Sequence, residues 1–291
     1  MPLLREGFEV HATSRAGNAS MYPGIFWHHA DLLNHQQIRA LCETVRATHL
    51  LHLAWIATPG EFWNSEDNFD WVASGLDLVR QFYAAGGVFA LGVGSCAEYS
   101  NAERTCNELL TPTGSSTVYG KCKVAMSEVF AAAGQSANKG AAWARVFQPY
   151  GPGEPRGRLI PSVIRSGIAG RKLDCTDGMQ IRDFVFVEDV ANALVRILAG
   201  NFPGPFNIGT GHGRSLREII SMICDKFGNH DFVRLGARTT LHEEPERVVA
   251  DISRMQTITG WQPVTDIEGG INSAIKYWRE AETLHPEPHA D

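Results

Sequence analysis

Short apolar runs rich in β-branched residues alternate along the chain with longer segments whose apolar residues recur at helical spacing. The strand-like runs are FEVHATS, GIFWHH, HLLHLA, VFALGVGS and AAWARVF. Helix-like segments lie between them, among them HQQIRALCETVRA, a long segment from Trp71 to Ala85 and another from about Val118 to Ala133. This alternation predicts an α/β fold built on a mostly parallel, doubly wound sheet.

The pattern changes after Tyr150, where the loop GPGEPRGR is rich in glycine and proline and the later elements become shorter. We therefore expect one domain over residues 1–150 and a smaller lobe over residues 151–291. The segment around residues 184–210 is expected to return to the first domain.

Composition narrows the class of protein. The chain has 291 residues, 44% of them hydrophobic, and a net charge of −6. No stretch concentrates Lys and Arg, so nucleic acid is not an expected partner. No apolar run approaches the roughly 20 residues of a membrane helix, and MPLLREGFEV lacks the features of a signal peptide. These observations favour a cytosolic protein without a membrane partner.

Cysteine, histidine and glycine patterns predict neither a metal site nor a phosphate loop. The six cysteines form no CxxC pair, and the histidines form no HExxH motif. Gly92-x-Gly94 follows a strand pattern without an acidic residue about 20 positions on, so we interpret it as a strand-end turn. Gly209, Gly211 and Gly213 are interpreted as a tight connection from the strand PFNI to the helix SLREIISMI, which Ser215 would cap.

The sequence YGKCK carries the first candidate chemistry. A separation of four places Tyr119 and Lys123 on one face of a helix. A nearby cation favours the phenolate, so Lys123 is expected to lower the pKa of Tyr119 for proton exchange with a sugar or alcohol oxygen. The alternative is that Tyr119 and Lys123 have this spacing by chance.

Ser95 ends the strand VFALGVGS. Parallel sheets bind ligands at the carboxyl ends of their strands, so the Ser95 hydroxyl is placed to hold a carbonyl oxygen. The alternative is a serine that only forms a turn.

Together these segments resemble the extended short-chain dehydrogenase/reductase family, in particular its nucleotide-sugar epimerases, dehydratases and ketoreductases. HLA at 52–54, GSCAEY, YGKCK, ARVFQPYGPGE, RDFVFVEDV, FNIGTG and ADISR followed by GWQP carry the resemblance over almost the whole chain. It implies an enzyme with a Rossmann-like domain that binds NAD(P), a substrate lobe for a nucleotide sugar, and a homodimer formed through the helices that contain Trp71 and Tyr119. The catalytic residues that it implies are Ser95, Tyr119 and Lys123.

The resemblance also assigns binding residues. The second strand of the family's sheet ends here in Ser14 and Arg15 rather than in an acid, which favours NADP over NAD. The implied cofactor site contains Ser14, Arg15, Asp31, Leu32, Leu53, Ala54, Tyr119 and Lys123. The implied substrate site contains Gln148, Arg182 and Arg247.

Departures from the family pattern refine the expected reaction. Cys96 and Ala97 stand where the family's 4,6-dehydratases have an Asp-Glu pair, and neither residue can transfer the protons of a dehydration. We therefore expect reduction of a 4-keto sugar nucleotide, as in the enzymes that make dideoxyhexoses for surface polysaccharides. Epimerisation through a transient ketone is the alternative.

The family's first strand and its GxxGxxG turn do not appear in the sequence. Without them, the second and fourth strands of the family's sheet lack their shared neighbour. A truncated reading frame that omits about 20 to 30 residues is favoured over a sheet that closes across the gap. A non-catalytic protein that binds a sugar nucleotide or another protein is the alternative from a different functional class.

Overall fold

The computed structural model describes residues 2–16, 22–56, 58, 60–100, 105–239 and 245–284. The helices are α1 (Pro2–Arg5), α2 (His35–Val45), α3 (Asp67–Ala84), α4 (Val118–Ala137), α5 (Leu159–Ala169), α6 (Val187–Gly200), α7 (Leu216–Phe227), α8 (Ser253–Thr259) and α9 (Ile267–Leu284). The strands are β1 (Val10–Ser14), β2 (Ile25–His29), β3 (His49–His52), β4 (Phe89–Ser95), β5 (Thr105–Cys106), β6 (Gly140–Val146), β7 (Gln148–Tyr150), β8 (Leu173–Asp174), β9 (Ile181–Phe186), β10 (Gly204–Ile208), β11 (Gly213–Ser215), β12 (Val233–Arg234) and β13 (Arg247–Ala250).

A parallel sheet in the order β10-β6-β4-β3 forms the centre of the molecule. Side chains alternate between its two faces, as the period of a strand requires. Phe89 and Leu91 pack against α6, whereas Ala90 packs against side chains of α3 and α4. Helices therefore cover both faces, and the predicted doubly wound α/β fold is confirmed.

Strands β1 and β2 form a separate two-stranded parallel sheet. Among the described residues, β1 pairs with β2 and β3 pairs with β4, and no backbone ladder joins β1 to β3. The alternative in which one sheet closes across the gap is therefore wrong. A truncated reading frame remains a prediction.

A further sheet has the order β11-β9-β13-β5, with β7 also paired to β9. The Asp183 carboxylate, on β9 and fully buried, accepts hydrogen bonds from the backbone N–H groups of Thr210, Gly211 and Ala250. The Asp183 carboxylate thereby joins the connection after β10 to strand β13. The predicted domain division at residue 151 remains a prediction.

The interpretation of Gly92 and Gly94 as part of a strand-end turn is wrong, because both residues lie inside β4. A Cβ atom at Gly92 would lie 2.3 Å from the Trp143 ring, and one at Gly94 would lie 2.2 Å from the Trp143 indole nitrogen. The two glycines leave room for this large side chain on the neighbouring strand β6. Ser215, by contrast, does cap α7, as expected.

The sequence predicts neither a membrane-spanning helix nor a metal site. Across the described ranges, no helix combines the length and the hydropathy needed to cross a membrane. Within the same ranges, no group of three or more His, Cys, Asp or Glu side chains is arranged to hold a metal ion. The cytosolic location remains a prediction.

Candidate active site

Helix α4 places Tyr119 and Lys123 one turn apart, as the spacing predicts. Thr117 caps the helix by accepting a hydrogen bond from Gly120 N at 3.1 Å. The Trp63 carbonyl accepts a hydrogen bond from Tyr119 N at 3.0 Å. The rings of Phe62 and Trp63 pack edge-on against Tyr119, with centroids 4.9 and 5.7 Å away. These two aromatic side chains thereby fix the position of the phenol ring.

Ser95 ends β4 and brings its side chain to Tyr119. The Ser95 Oγ atom caps a short 3₁₀ helix, Cys96–Glu98, by accepting from Ala97 N at 3.2 Å. The Ser95 side chain lies close enough to the phenol to lower the pKa of Tyr119, against the larger effect of burial. The structure therefore brings all three expected catalytic residues to one edge of the central sheet, and Ser95 also has the turn-forming role that was its alternative.

Electrostatics at Tyr119 differ from the expectation. Burial raises the pKa of the phenol above its ordinary value, and Lys123 is not among the groups that lower this pKa. The expected lowering of the Tyr119 pKa by Lys123 is therefore wrong for the chain alone. The reason is geometric, since the Lys123 ammonium lies 5.8 Å from the centre of the Tyr119 ring and donates to the Val93 carbonyl at 2.8 Å. The phenol is consequently protonated at neutral pH.

Lys123 is itself strongly perturbed. Its side chain is buried, and its ammonium lies 3.8 Å from the centre of the Trp55 ring. Burial lowers the pKa of Lys123 to about 7, an effect that the Glu98 carboxylate partly opposes. The neighbouring His52 is buried and neutral, because burial and the Lys123 charge lower its pKa to about 3.

A polar cluster that the sequence pattern does not reveal lies beside Tyr119 and includes side chains of the GPGEPRGR loop. Arg158 donates to Gln148 Oε1 at 2.9 Å and forms an ion pair with Glu154 at 3.5 Å. Burial raises the pKa of Glu154 to about 7, and the Arg158 charge lowers the pKa of Tyr119. The residue types were visible in the sequence, but a loop pattern does not show which side chains turn toward the helix.

The three expected substrate residues do not form one group. Gln148 contacts Arg158, and Arg182 is close enough to Cys96 to lower the pKa of that thiol, against a larger increase from burial. Arg182 also donates to the carbonyl of Pro245 at 2.8 Å. Arg247 is paired in register with Ile181, the residue before Arg182, so the two arginines project from opposite faces of their sheet. The structure places Gln148 and Arg182 toward the catalytic edge and separates Arg247 from them.

The expected cofactor residues follow the carboxyl ends of parallel strands. Ser14 ends β1, where its Oγ accepts from Ala16 N at 3.1 Å, and Arg15 is exposed beside it. Leu32, after β2, and Ala54, after β3, share one hydrophobic cluster that joins the two strand ends. The remaining members of the set are Asp31, whose Oδ1 accepts from Leu33 N at 3.0 Å, and Leu53, which is exposed.

These residues fit the two ends of a dinucleotide but not its middle. The β1 and β2 ends offer groups for an adenosine ribose, and the buried Lys123 offers a donor for a second ribose. Among the described residues, α1 rather than a strand with a glycine-rich turn precedes β1. The described part of the chain therefore provides no backbone cradle for a pyrophosphate ahead of β1.

A doubly wound α/β fold with serine, tyrosine and lysine at one strand edge defines the class of protein. The chain belongs to the NAD dependent epimerase/dehydratase family, whose sequence model matches residues 2–209. The resemblance to the extended short-chain dehydrogenases/reductases is thereby confirmed.

Similar proteins include UDP-glucuronic acid decarboxylase 1 of Xenopus tropicalis, 29% identical over 140 residues, which cover 47% of this chain and 33% of that protein. CDP-abequose synthase of Salmonella typhimurium is 32% identical over 141 residues, which cover 45% of this chain and 46% of that protein. The matches thus span less than half the length of either relative. A UDP-glucose 4-epimerase from Thermotoga maritima, solved with UDP-glucose, superimposes with a TM-score of 0.83 at 15% identity and covers 96% of this chain and 93% of its own, which shows a shared fold.

Proposed function

We propose that this protein is an NAD(P)-dependent nucleotide-sugar oxidoreductase that reduces a 4-keto sugar nucleotide. The observation that carries the proposal is the approach of the Ser95 side chain, at the end of β4, to the Tyr119 phenol, with Lys123 one helical turn away. The similarity to CDP-abequose synthase over 141 residues is consistent with this reaction.

The chemistry follows from the protonation state of Tyr119. Because burial raises its pKa, the phenol is protonated at neutral pH and acts as a general acid. Ser95 holds the substrate carbonyl oxygen, and Tyr119 donates its proton to that oxygen as the carbonyl carbon is reduced to an alcohol. NAD(P)H, when bound, supplies the hydride. Lys123 donates hydrogen bonds from a buried position beside Tyr119 and is assigned to the ribose next to the nicotinamide.

NADP is the proposed cofactor because Arg15 is exposed beside the end of β1 and no acid is there to accept from a ribose hydroxyl. Gln148 and Arg182, on the catalytic side, are the proposed substrate contacts. Arg247, which projects from the other face of its sheet, is the proposed contact for the diphosphate. A homodimer through α3 and α4 is supported by the exposed apolar side chains of Phe69 and Leu76 on α3.

The alternatives are an epimerase, which regenerates its cofactor in each cycle, and a binding protein without turnover. The test combines the purified chain and NADPH with several 4-keto sugar nucleotides, and follows absorbance at the nicotinamide band together with product stereochemistry. Stoichiometric NADPH consumption with formation of the 4-hydroxy sugar supports the proposal. Interconversion of sugars without net consumption supports the epimerase, and binding without turnover supports the binding protein.

A further inference from the structure

The carboxylate of Glu98 is completely buried next to the catalytic edge. Its Oε1 atom accepts hydrogen bonds from Ser95 N and from the Trp143 indole N–H, both at 2.9 Å. Its Oε2 atom accepts from Arg145 Nε at 2.7 Å. Because all of these donors come from the protein interior, Glu98 cannot reach a substrate and is not an acid or base of the reaction.

Glu98 fixes the backbone of Ser95. The two residues form a reciprocal capping box, in which Glu98 accepts from Ser95 N while Ser95 Oγ accepts from a backbone N–H of the same 3₁₀ turn. The Ser95 side chain also lies close enough to the Tyr119 phenol to lower its pKa, against the larger effect of burial. A displacement of the Glu98 carboxylate would therefore move the hydroxyl that meets the proposed proton donor.

The surroundings of Glu98 are built for this carboxylate. A Cβ atom at residue 94 would lie 2.0 Å from Glu98 Oε1, so Gly94 leaves space for it. Arg145 is held in turn by the hydroxyl of Tyr99 at 3.4 Å and the carbonyl of Glu108 at 3.3 Å. Burying an ion pair has a large desolvation cost. Apolar residues of similar volume often give a core the same or greater stability than the buried ion pair does. Stability alone therefore does not account for a charged pair at this point.

Glu98 also acts on the site through its charge. It raises the pKa of Lys123, against the larger lowering by burial, and it adds to the increase that burial causes in the pKa of Tyr119. The other charged or titratable groups that face this pair are His52 beside Lys123, and Cys96 and Arg158 beside Tyr119. Within the part of the chain that the structure describes, Glu98 is the carboxylate that acts on both Tyr119 and Lys123.

We infer that Glu98 is a positioning residue, which holds Ser95 in register with Tyr119 through the Ser95 backbone and places a fixed negative charge behind Tyr119 and Lys123. This inference rests on the proposed function for its catalytic meaning, but its electrostatic part is measurable without turnover. Arg145 and Trp143 are the groups that hold the carboxylate in place.

The test compares Glu98→Gln with Glu282→Gln. Glutamine keeps the shape of Glu98 and removes its charge. Glu282 pairs with Arg165 at 2.6 Å and with Arg156 at 3.5 Å, so its variant breaks ion pairs that do not include Ser95, Tyr119 or Lys123. We expect Glu98→Gln to lower kcat about 100-fold with KM changed much less, as a small misplacement of a reacting group does. We expect Glu282→Gln to keep the wild-type kcat and pH profile.

A second readout uses NMR of protein labelled with [ε-¹³C]lysine. Lys123 is identified among the six lysines by its absence from Lys123→Arg. Glu98→Gln should lower the Lys123 midpoint below the wild-type value, whereas Glu282→Gln should leave it unchanged. Because removing one ion-pair partner can prevent folding, Glu98→Gln/Arg145→Gln removes both charges together. The double variant should show the same loss of kcat as the single one.

The two claims fail separately. In a folded Glu98 variant, an unchanged Lys123 midpoint would overturn the electrostatic part of the inference, and an unchanged kcat would overturn the positioning of Ser95. The Lys123 midpoint could shift in Glu98→Gln while the wild-type protein turns over no nucleotide sugar. That result would uphold the electrostatic role of Glu98 and overturn the proposed function.

Discussion

Replacement of Tyr119 by phenylalanine removes one oxygen from the site. The ring should keep its edge-on contacts with Phe62 and Trp63, at 4.9 and 5.7 Å, so the local packing stays intact. The variant loses the polar contact of the hydroxyl with the Ser95 side chain, and the loss of a contact of hydrogen-bond strength costs about 1 kcal/mol of the free energy of unfolding. The loss of a general acid lowers kcat by about 10²- to 10⁴-fold.

A matched control is Tyr83→Phe. The Tyr83 hydroxyl donates to the Gly140 carbonyl at 2.7 Å, so the same atom is removed and a similar bond is lost. Gly140 begins β6 and pairs with Phe89, at the end of the sheet opposite Ser95, about 20 Å away along the strands. Urea unfolding should give similar losses of stability for the two variants, while NADPH oxidation should fail only in Tyr119→Phe. Full turnover in a folded Tyr119→Phe protein would refute the reasoning.

Three further predictions address charge, cofactor choice and packing. Because burial lowers the pKa of folded Lys123 to about 7 from an ordinary value of 10.5, the unfolded chain binds more protons between these pH values. Stability should therefore rise with pH across that window, and Lys123→Met should flatten this rise in chemical denaturation at several pH values. Arg15→Glu should weaken NADPH binding about tenfold or more relative to NADH in fluorescence titrations, since an acid repels the 2′-phosphate; an unchanged ratio would remove Arg15 from the cofactor site. Gly92→Ala should cost about 1–3 kcal/mol of the free energy of unfolding, because the new Cβ would lie 2.3 Å from the Trp143 ring. Gly114→Ala, where the nearest contact is an ordinary 3.6 Å, should cost much less in the same assay.

The order of elements was predictable because it depends on local periodicity. The runs VFALGVGS and AAWARVF gave β4 and β6, and the spacing of Tyr119 and Lys123 placed them on one helix face. The position of Ser95 at the end of a parallel strand was also sufficient to place it near the other two residues. These predictions need no knowledge of distant contacts.

The properties that depend on contacts between distant segments were not predictable. The pKa of Tyr119 is raised because the phenol is buried. The residues that pack against it include Phe62 and Trp63, which lie more than 50 positions earlier in the chain. Gly92 was misinterpreted because its space is taken by Trp143 from another strand. Glu98 carried no periodic signal, since its role depends on donors from Arg145 and Trp143. Arg182 and Arg247 lie on neighbouring strands. Only the register of β9 and β13 shows that their side chains project from opposite faces of the sheet.

The most direct test of the account is a titration of the purified 291-residue chain with NADPH and then with NADH. Quenching of its seven tryptophans and enhancement of nicotinamide fluorescence report binding. The account predicts saturable binding of both dinucleotides with NADPH preferred, and a loss of affinity in Lys123→Met. A folded chain that binds neither dinucleotide would contradict the assignment of this protein as an oxidoreductase.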